Sequence, residues 1–153
     1  AYLLMTASGC HILSAIRELI GLPKAIRSAV VSPNGMQFSL VFEYDNFNMV
    51  FEEMNDQEIV EFDEAIEIYQ GDRKMLLEYD TPYIRYLPSK LTVSELDCGQ
   101  AKTTVYGPHY HDMFANELLE FYRCVTTHDT PKCDVFDAAE DVKLYIDVAK
   151  MMK

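Results

Sequence analysis

The sequence predicts an α+β fold: a large, mainly antiparallel β-sheet with helices packed on one face. Three observations predict it. The middle of the chain is a series of β-branched and aromatic runs joined by hairpin-length turns. One amphipathic helical segment precedes these runs and two follow them. The 153 residues are a one-domain length with room for a hydrophobic core.

The first segment, "SGCHILSAIRELIG", reads as a helix from about Gly9 to Ile20. Ser8 fits the N-cap. Ile12, Ile16, Leu19 and Ile20 fall on one face, and Gly21 followed by Pro23 is a stop. "AIRSAVVS" (25–32) is β-branched and ends at the turn "SPNG". "MQFSLVFEY" alternates Phe38, Leu40 and Phe42 against Ser39, Val41 and Glu43. Asp45–Asn46 is a two-residue hairpin loop, and "FNMVFEEM" is its partner strand, with Phe47, Met49 and Phe51 on one face. "EIVEFDEAIEIYQGDRKMLLEY" gives two strands turning at Gly71–Asp72. "KLTVSELD" and "AKTTVYG" form another pair around Gly99. That makes about six or seven strands in series. Pro108 suits a helix start, followed by the stripe Phe114, Leu118, Phe121 and Val125. "THDTPK" breaks that helix. Asp134 caps the last one, whose expected buried face is Val135, Ala138/Ala139, Val142, Tyr145/Ile146, Ala149 and Met152.

Composition narrows the function classes. Hydrophobic residues make up 49% and charged residues 25%, which is ordinary for a soluble domain. A net charge of −12 disfavours nucleic acid and anionic membrane surfaces as partners. No apolar run approaches the roughly 18 residues of a bilayer span. The start, "AYLLMTASGC", has no basic region of the kind that opens a signal peptide. Cys10, Cys98, Cys124 and Cys133 match no zinc or disulfide spacing, so free thiols and a cytoplasmic location are expected. Cys10 stands apart, because a helix N-terminus lowers a thiol pKa. There is no G-x-G-x-x-G and no G-x-x-x-x-G-K-[ST], hence no dinucleotide or phosphate loop in this chain.

His11 is the leading chemical candidate. With Ser8 as N-cap it occupies N3, at the edge of the buried face, with Ser14 and Glu18 on the same stripe. A helix N-terminus favours a neutral ring, available as base or hydrogen-bond partner. The alternative is a structural histidine bonded to a backbone carbonyl. His109 and His111, with Asp112, form an H-x-H cluster. Alternate residues at a helix start do not share a face, so a solvated helix entry is expected there and no metal site. "YDTPYIRYLP" (79–88) reads as a loop whose Tyr83 and Arg85 could hold a substrate's hydroxyls or carboxylate. The reading that weighs more is a packed connector whose tyrosines cover a sheet edge. The run "EEMNDQEIVEFDEAIE" is a solvated strand face.

The order of these pieces resembles one family. G-x-H in a helix ending "RELIGLP", then "AIRSAVVS", the "FEYDNF" hairpin, "FDEAIEIYQGD" and "DTPYIRYLP" are similar to the C-terminal domain of the Gfo/Idh/MocA oxidoreductases. So are "HDMFANELLEFYRCV" and "DVFDAAEDVKLYIDVAKMM". These enzymes are grouped around glucose–fructose oxidoreductase and inositol dehydrogenase. The likeness covers essentially the whole chain and implies a dihydrodipicolinate-reductase-like α+β domain over residues 1–153. It also implies an N-terminal Rossmann domain, outside this chain, that binds NAD or NADP. By this resemblance His11 is the proton acceptor or hydroxyl ligand, and Gly9 is the glycine two residues before it. Many members also place an aspartate four residues before the histidine and another three after it. Those positions are Ala7 and Ser14 here, a departure from the pattern.

The function expected on this basis is the substrate-binding and oligomerisation domain of an NAD(P)-dependent oxidoreductase. Its substrate would be a sugar, a polyol or a similar hydroxylated small molecule, oxidised or reduced by hydride transfer. His11 would be catalytic, and Ser14, Tyr83 and Arg85 would contact substrate. The isolated chain is expected to be inactive, to bind no cofactor itself, and to form a homo-oligomer through the open face of its sheet. The competing function is a non-catalytic dimerising scaffold or small-molecule sensor of the same fold.

Overall fold

The computed structural model describes residues 2–55, 58, 61–81, 83–110 and 112–152. Expectations that fall on His111, on Pro82, and on 56, 57, 59 and 60 of the acidic run lie outside the described residues. The architecture is α+β with antiparallel strands, as the alternation predicts. The chain divides into two compact units, Ala1–Ile59 with Lys132–Lys153, and Val60–Pro131.

The first unit opens with a continuous helical run: α1 (Tyr2–Leu4), a π-helical segment (Met5–Gly9) and α2 (Cys10–Ile20). The helix therefore does not begin at Ser8. Upstream residues such as Leu3, Leu4, Met5 and Ala7 are themselves good helix formers and carry the helix backward past the would-be cap. Gly9, the residue before α2, is αR and makes no side-chain cap bond. Gly21 ends α2 at φ 79°, its N–H donating to the Arg17 carbonyl at 2.8 Å. Three strands follow, β1 (Ala25–Val31), β2 (Gln37–Glu43) and β3 (Asn48–Met54), paired in the order β1-β2-β3. The turn at Ser32–Gly35 and the hairpin at Asp45–Asn46 are where turn chemistry puts them. The hairpin is closed by the Tyr44 N–H donating to the Phe47 carbonyl and by stacking of those two rings at 4.7 Å. The last helix, α4 (Val135–Met151), completes this unit, with Asp134 accepting from the Phe136 and Asp137 amides.

The core of the first unit lies between the inner face of this sheet and the helices. Phe38, Leu40 and Phe42 of β2 are fully buried, as their alternation predicts, and Phe51 stacks on Phe38 at 5.9 Å. The helix faces differ from expectation. The run buries Met5, Gly9, Leu13 and Ile16, while Leu19 faces water. α4 buries Asp141 and Val148 and leaves Val135, Val142 and Ile146 exposed. The reason is electrostatic. Asp137 and Asp141 turn inward to Arg17, and that rotates the expected apolar line outward.

The second unit holds β4 (Glu64–Gln70), β5 (Arg73–Tyr79), β6 (Ser89–Asp97) and β7 (Gln100–His109), an antiparallel sheet in that order, and α3 (Met113–Thr127). Among the described residues the strands thus hydrogen-bond as a sheet of three and a sheet of four. Gly71, and Cys98 with Gly99, supply the positive φ that these tight turns require. Pro108 does not start a helix. It lies in β7, which among the described residues pairs only with β6, and an edge strand tolerates a residue with no N–H. α3 begins instead after Asp112, whose Oδ1 accepts from the Ala115 amide at 3.0 Å. Its stripe Phe114, Leu118, Phe121 and Val125 is more than half exposed throughout, and Cys124 is the buried residue of this helix.

Candidate functional site

His11 lies one residue into α2, preceded by a π-helical segment rather than by a free helix end. The expectation of an N3 imidazole at the edge of the core is therefore corrected on both counts. At about 100° per residue, His11 is about 140° from Ile16 and about 160° from Leu13. It points away from the sheet, and it is exposed. Ser14 and Glu18 share this stripe, Ser14 half-buried and Glu18 exposed. Lys132 closes the far end of the stripe with an ion pair to Glu18 at 3.2 Å.

Behind this stripe is a polar cluster that joins α2 to α4. Arg17 Nε donates to Asp141 Oδ1 at 2.6 Å. Its Nη1 and Nη2 donate to the two Asp137 oxygens at 2.8 and 2.7 Å, and Nη2 also reaches Asp141 Oδ2 at 3.3 Å. The Arg17 and Asp141 side chains are only 13% and 9% exposed. These bonds, to Asp137 first and then Asp141, raise the Arg17 pKa further above its ordinary high value. The Arg17 guanidinium in turn, helped by the Cys133 thiol, holds Asp137 below the usual carboxylate range. Two turns toward the N-terminus, the Tyr145 hydroxyl donates to the Cys10 carbonyl at 3.0 Å. Burial, followed by the neighbouring Asp141 and Cys10, pushes the Tyr145 phenol above its ordinary pKa.

Cys10 also departs from expectation. Its thiol pKa is raised, chiefly by burial, with the Glu53 and Asp141 carboxylates adding to the shift. A helix N-terminus would have lowered it, but the helix continues upstream of Cys10. Gly9 lies against β3, where an added Cβ would collide with the Glu53 carboxylate and meet the Phe51 ring at 3.4 Å. The helix approaches the sheet this closely because that position has no side chain.

Tyr83 and Arg85 belong to the second unit, in the loop between β5 and β6. The loop is as expected, and both side chains stand in water, Tyr83 at 85% exposure. Arg85 Nε lies 3.7 Å from Asp112 Oδ2, so it tethers the loop to the entry of α3. His109 ends β7 and does not enter a helix. His11 and Ser14 are thus neighbours on one helix, and Tyr83 and Arg85 are neighbours in one loop of the other unit. Among the described residues, no three His, Cys, Asp or Glu side chains converge as metal ligands.

Sequence reasoning missed the Arg17–Asp137–Asp141–Tyr145 cluster. The available signal was the i,i+4,i+8 spacing of Asp137, Asp141 and Tyr145, which puts three polar groups on one helix face.

No family model matches the chain, and no curated protein matches its sequence. A solved structure does match, that of "putative oxidoreductase yvaA from Bacillus subtilis". The TM-score is 0.70 at 12% identity, over 96% of this chain and 48% of yvaA. The fold is therefore shared, and the chain spans about half the length of that protein.

Proposed function

We propose that the chain is the substrate-binding and oligomerisation domain of an NAD(P)-dependent oxidoreductase acting on a sugar, a polyol or a similar hydroxylated small molecule. The observation that carries this reading is the fold: nearly all of the chain matches about half of yvaA. The other half of such a protein would supply the nucleotide site. The G-x-H sequence ending at His11 and its resemblance to the Gfo/Idh/MocA enzymes support the same assignment.

In this reading the dinucleotide is held by the other half. A pyrophosphate needs open helix N-termini or a glycine loop. The N-termini of α3 and α4 are already filled by the carboxylates of Asp112 and Asp134, which would repel a phosphate. α2 has no free N-terminus, because helix continues upstream of it. This chain's part is to bind and orient substrate and to move one proton. His11, exposed on its stripe, accepts the hydroxyl proton. Ser14, one turn on, hydrogen-bonds a neighbouring hydroxyl.

Self-association belongs to the same proposal. The outer face of the first sheet carries Val30, Val50 and Met54, each more than 60% exposed, beside the Ser39–Glu52 hydrogen bond. A two-fold partner that covered this face would remove the apolar side chains from water. Val50→Asp should dissociate the assembly without unfolding the protomer. Sedimentation velocity together with circular dichroism tests this, and a monomeric wild-type chain at micromolar concentration would count against it.

The deciding experiment is turnover by a protein that also carries the nucleotide-binding half, assayed with NADH and NADPH and their oxidised forms against polyols, sugars and hydroxy acids. His11→Ala should lower kcat by about 10²- to 10⁴-fold with little loss of stability. Absence of any cofactor-dependent turnover would favour the second reading, a dimerising scaffold or small-molecule sensor. The observation behind that second reading is the pair Ala7 and Ser14, where many family members have carboxylates.

A further inference from the structure

We infer that Tyr145 and Arg17 are positioning residues that fix the rotation of α2 about its own axis, and with it the direction in which His11 and Ser14 face. The consequence for turnover rests on the proposed role of His11; the geometric part does not.

On a helix of about 100° per residue, Cys10 and Arg17 lie within about 20° of one another, seven residues and about 10 Å apart. Both are held from α4, the first through its carbonyl by the Tyr145 hydroxyl, the second through its guanidinium by Asp137 and Asp141. Two polar contacts two turns apart oppose rotation and tilt together. The other polar contacts lie toward the far end of the helix: the Tyr44 hydroxyl donates to the Gly21 carbonyl at 3.2 Å, and Lys132 pairs with the exposed Glu18. Leu13 and Ile16 meet the core through apolar contact, which has no preferred angle. Gly9 meets β3 with no side chain to key it in place. Hydrogen bonds weaken steeply when misaligned, so near His11 the angular restraint falls chiefly to the α4 contacts.

The lever is short and the tolerance small. His11 follows Cys10 by one residue, so its direction is tied to the carbonyl that Tyr145 holds. A side-chain atom about 6 Å from the helix axis moves about 2 Å when the helix turns by about 20°. A displacement of about 1 Å in a reacting group can cost about 10²-fold in rate. The raised pKa of the Tyr145 phenol keeps it protonated, and so a donor, across the neutral range.

Tyr145→Phe removes the donor and keeps the ring. In isotope-labelled samples of this chain, the His11 ring signals and the Ser14 amide should shift, and amide exchange across 11–17 should quicken about five- to tenfold. The thermal midpoint should move by only a few degrees. Arg17→Lys, which keeps the charge but loses the planar fork, should shift the same signals. Tyr122→Phe, an exposed ring in the other unit, should leave them in place. Unchanged His11 and Ser14 signals in both Tyr145→Phe and Arg17→Lys would overturn the inference. In the protein with its nucleotide-binding half, Tyr145→Phe should lower kcat about tenfold while KM stays within about twofold. If His11→Ala abolishes turnover and Tyr145→Phe leaves kcat unchanged, the positioning role is overturned. If His11→Ala itself leaves kcat unchanged, the proposed function fails instead, and the ring signals alone decide whether α4 sets the rotation.

Discussion

Removing Arg17 should destabilise the first unit more than an ordinary surface ion pair would allow. Arg17→Ala breaks four hydrogen bonds to Asp137 and Asp141 and leaves Asp141, 9% exposed, as a buried charge without its cation. Losing one partner of a buried pair costs about 3–5 kcal/mol, because the other charge stays desolvated. Asp137 is about one-third exposed and regains water, which argues for the low end. The expected loss is therefore about 3 kcal/mol. For a chain of this length that is a fall in Tm of about 6–12 °C. Because the chain forms two compact units, amide exchange in α2 and α4 should accompany calorimetry, so that the loss is located in the first unit.

The pH dependence provides the refutation. Asp137 has a depressed pKa in the folded protein because Arg17 bonds its ionised form. A depressed carboxylate contributes stability that is fully present above its unfolded pKa, about 3.9, and lost as pH falls through the folded value. Arg17→Ala lacks this contribution. The gap between wild type and variant should be full at pH 7 and should narrow below about pH 4. Arg17→Met combined with Asp141→Leu should recover most of the loss, since apolar residues of similar volume replace buried pairs well. A deficit below about 1 kcal/mol at pH 7, or one that is constant into acid, would place this cluster with surface pairs.

Gly9→Ala should destabilise by about 1 kcal/mol in urea unfolding. Overpacking against Glu53 and Phe51 costs about 1–3 kcal/mol and exceeds the roughly 1 kcal/mol of helix propensity gained; a variant as stable as wild type would show that β3 yields. Cys10 should react with iodoacetamide along a pH curve whose midpoint lies above the ordinary thiol value of about 8.5, because its pKa is raised by burial. Quenched alkylation with site-resolved mass spectrometry reads this, and a midpoint below that value would contradict it.

The strands were legible in the sequence and the helix faces were not. Strands declare themselves by alternation, as in Phe38, Leu40 and Phe42, and by turn residues such as Asp45–Asn46 and Gly71–Asp72. Helix faces were read from apolar residues alone. That rule fails where a buried face is polar and satisfied, as it is at Asp141. Ser8 carried a cap signal that the helix-forming residues before it outweighed. Pro108 carried a helix-start signal that an edge strand also admits. In both cases a local preference of about 1 kcal/mol was decided by the neighbouring chain.

Of the His11 reading, the stripe shared with Ser14 and Glu18 holds, while the helix end and the place at the edge of the buried face do not. What changes is the source of any chemical competence. A free N-terminus would have acted on the ring directly; a continuous helix does not. With Ala7 and Ser14 at the flanking positions, the nearest carboxylate along the stripe is Glu18, about 10 Å on and paired to Lys132. In the proposed reaction, the charge that forms when His11 takes a proton has to be met by the substrate or by the nucleotide-binding half. That makes precise aim matter more at His11 than local electrostatics, and aim is what the contacts from α4 to Cys10 and Arg17 supply.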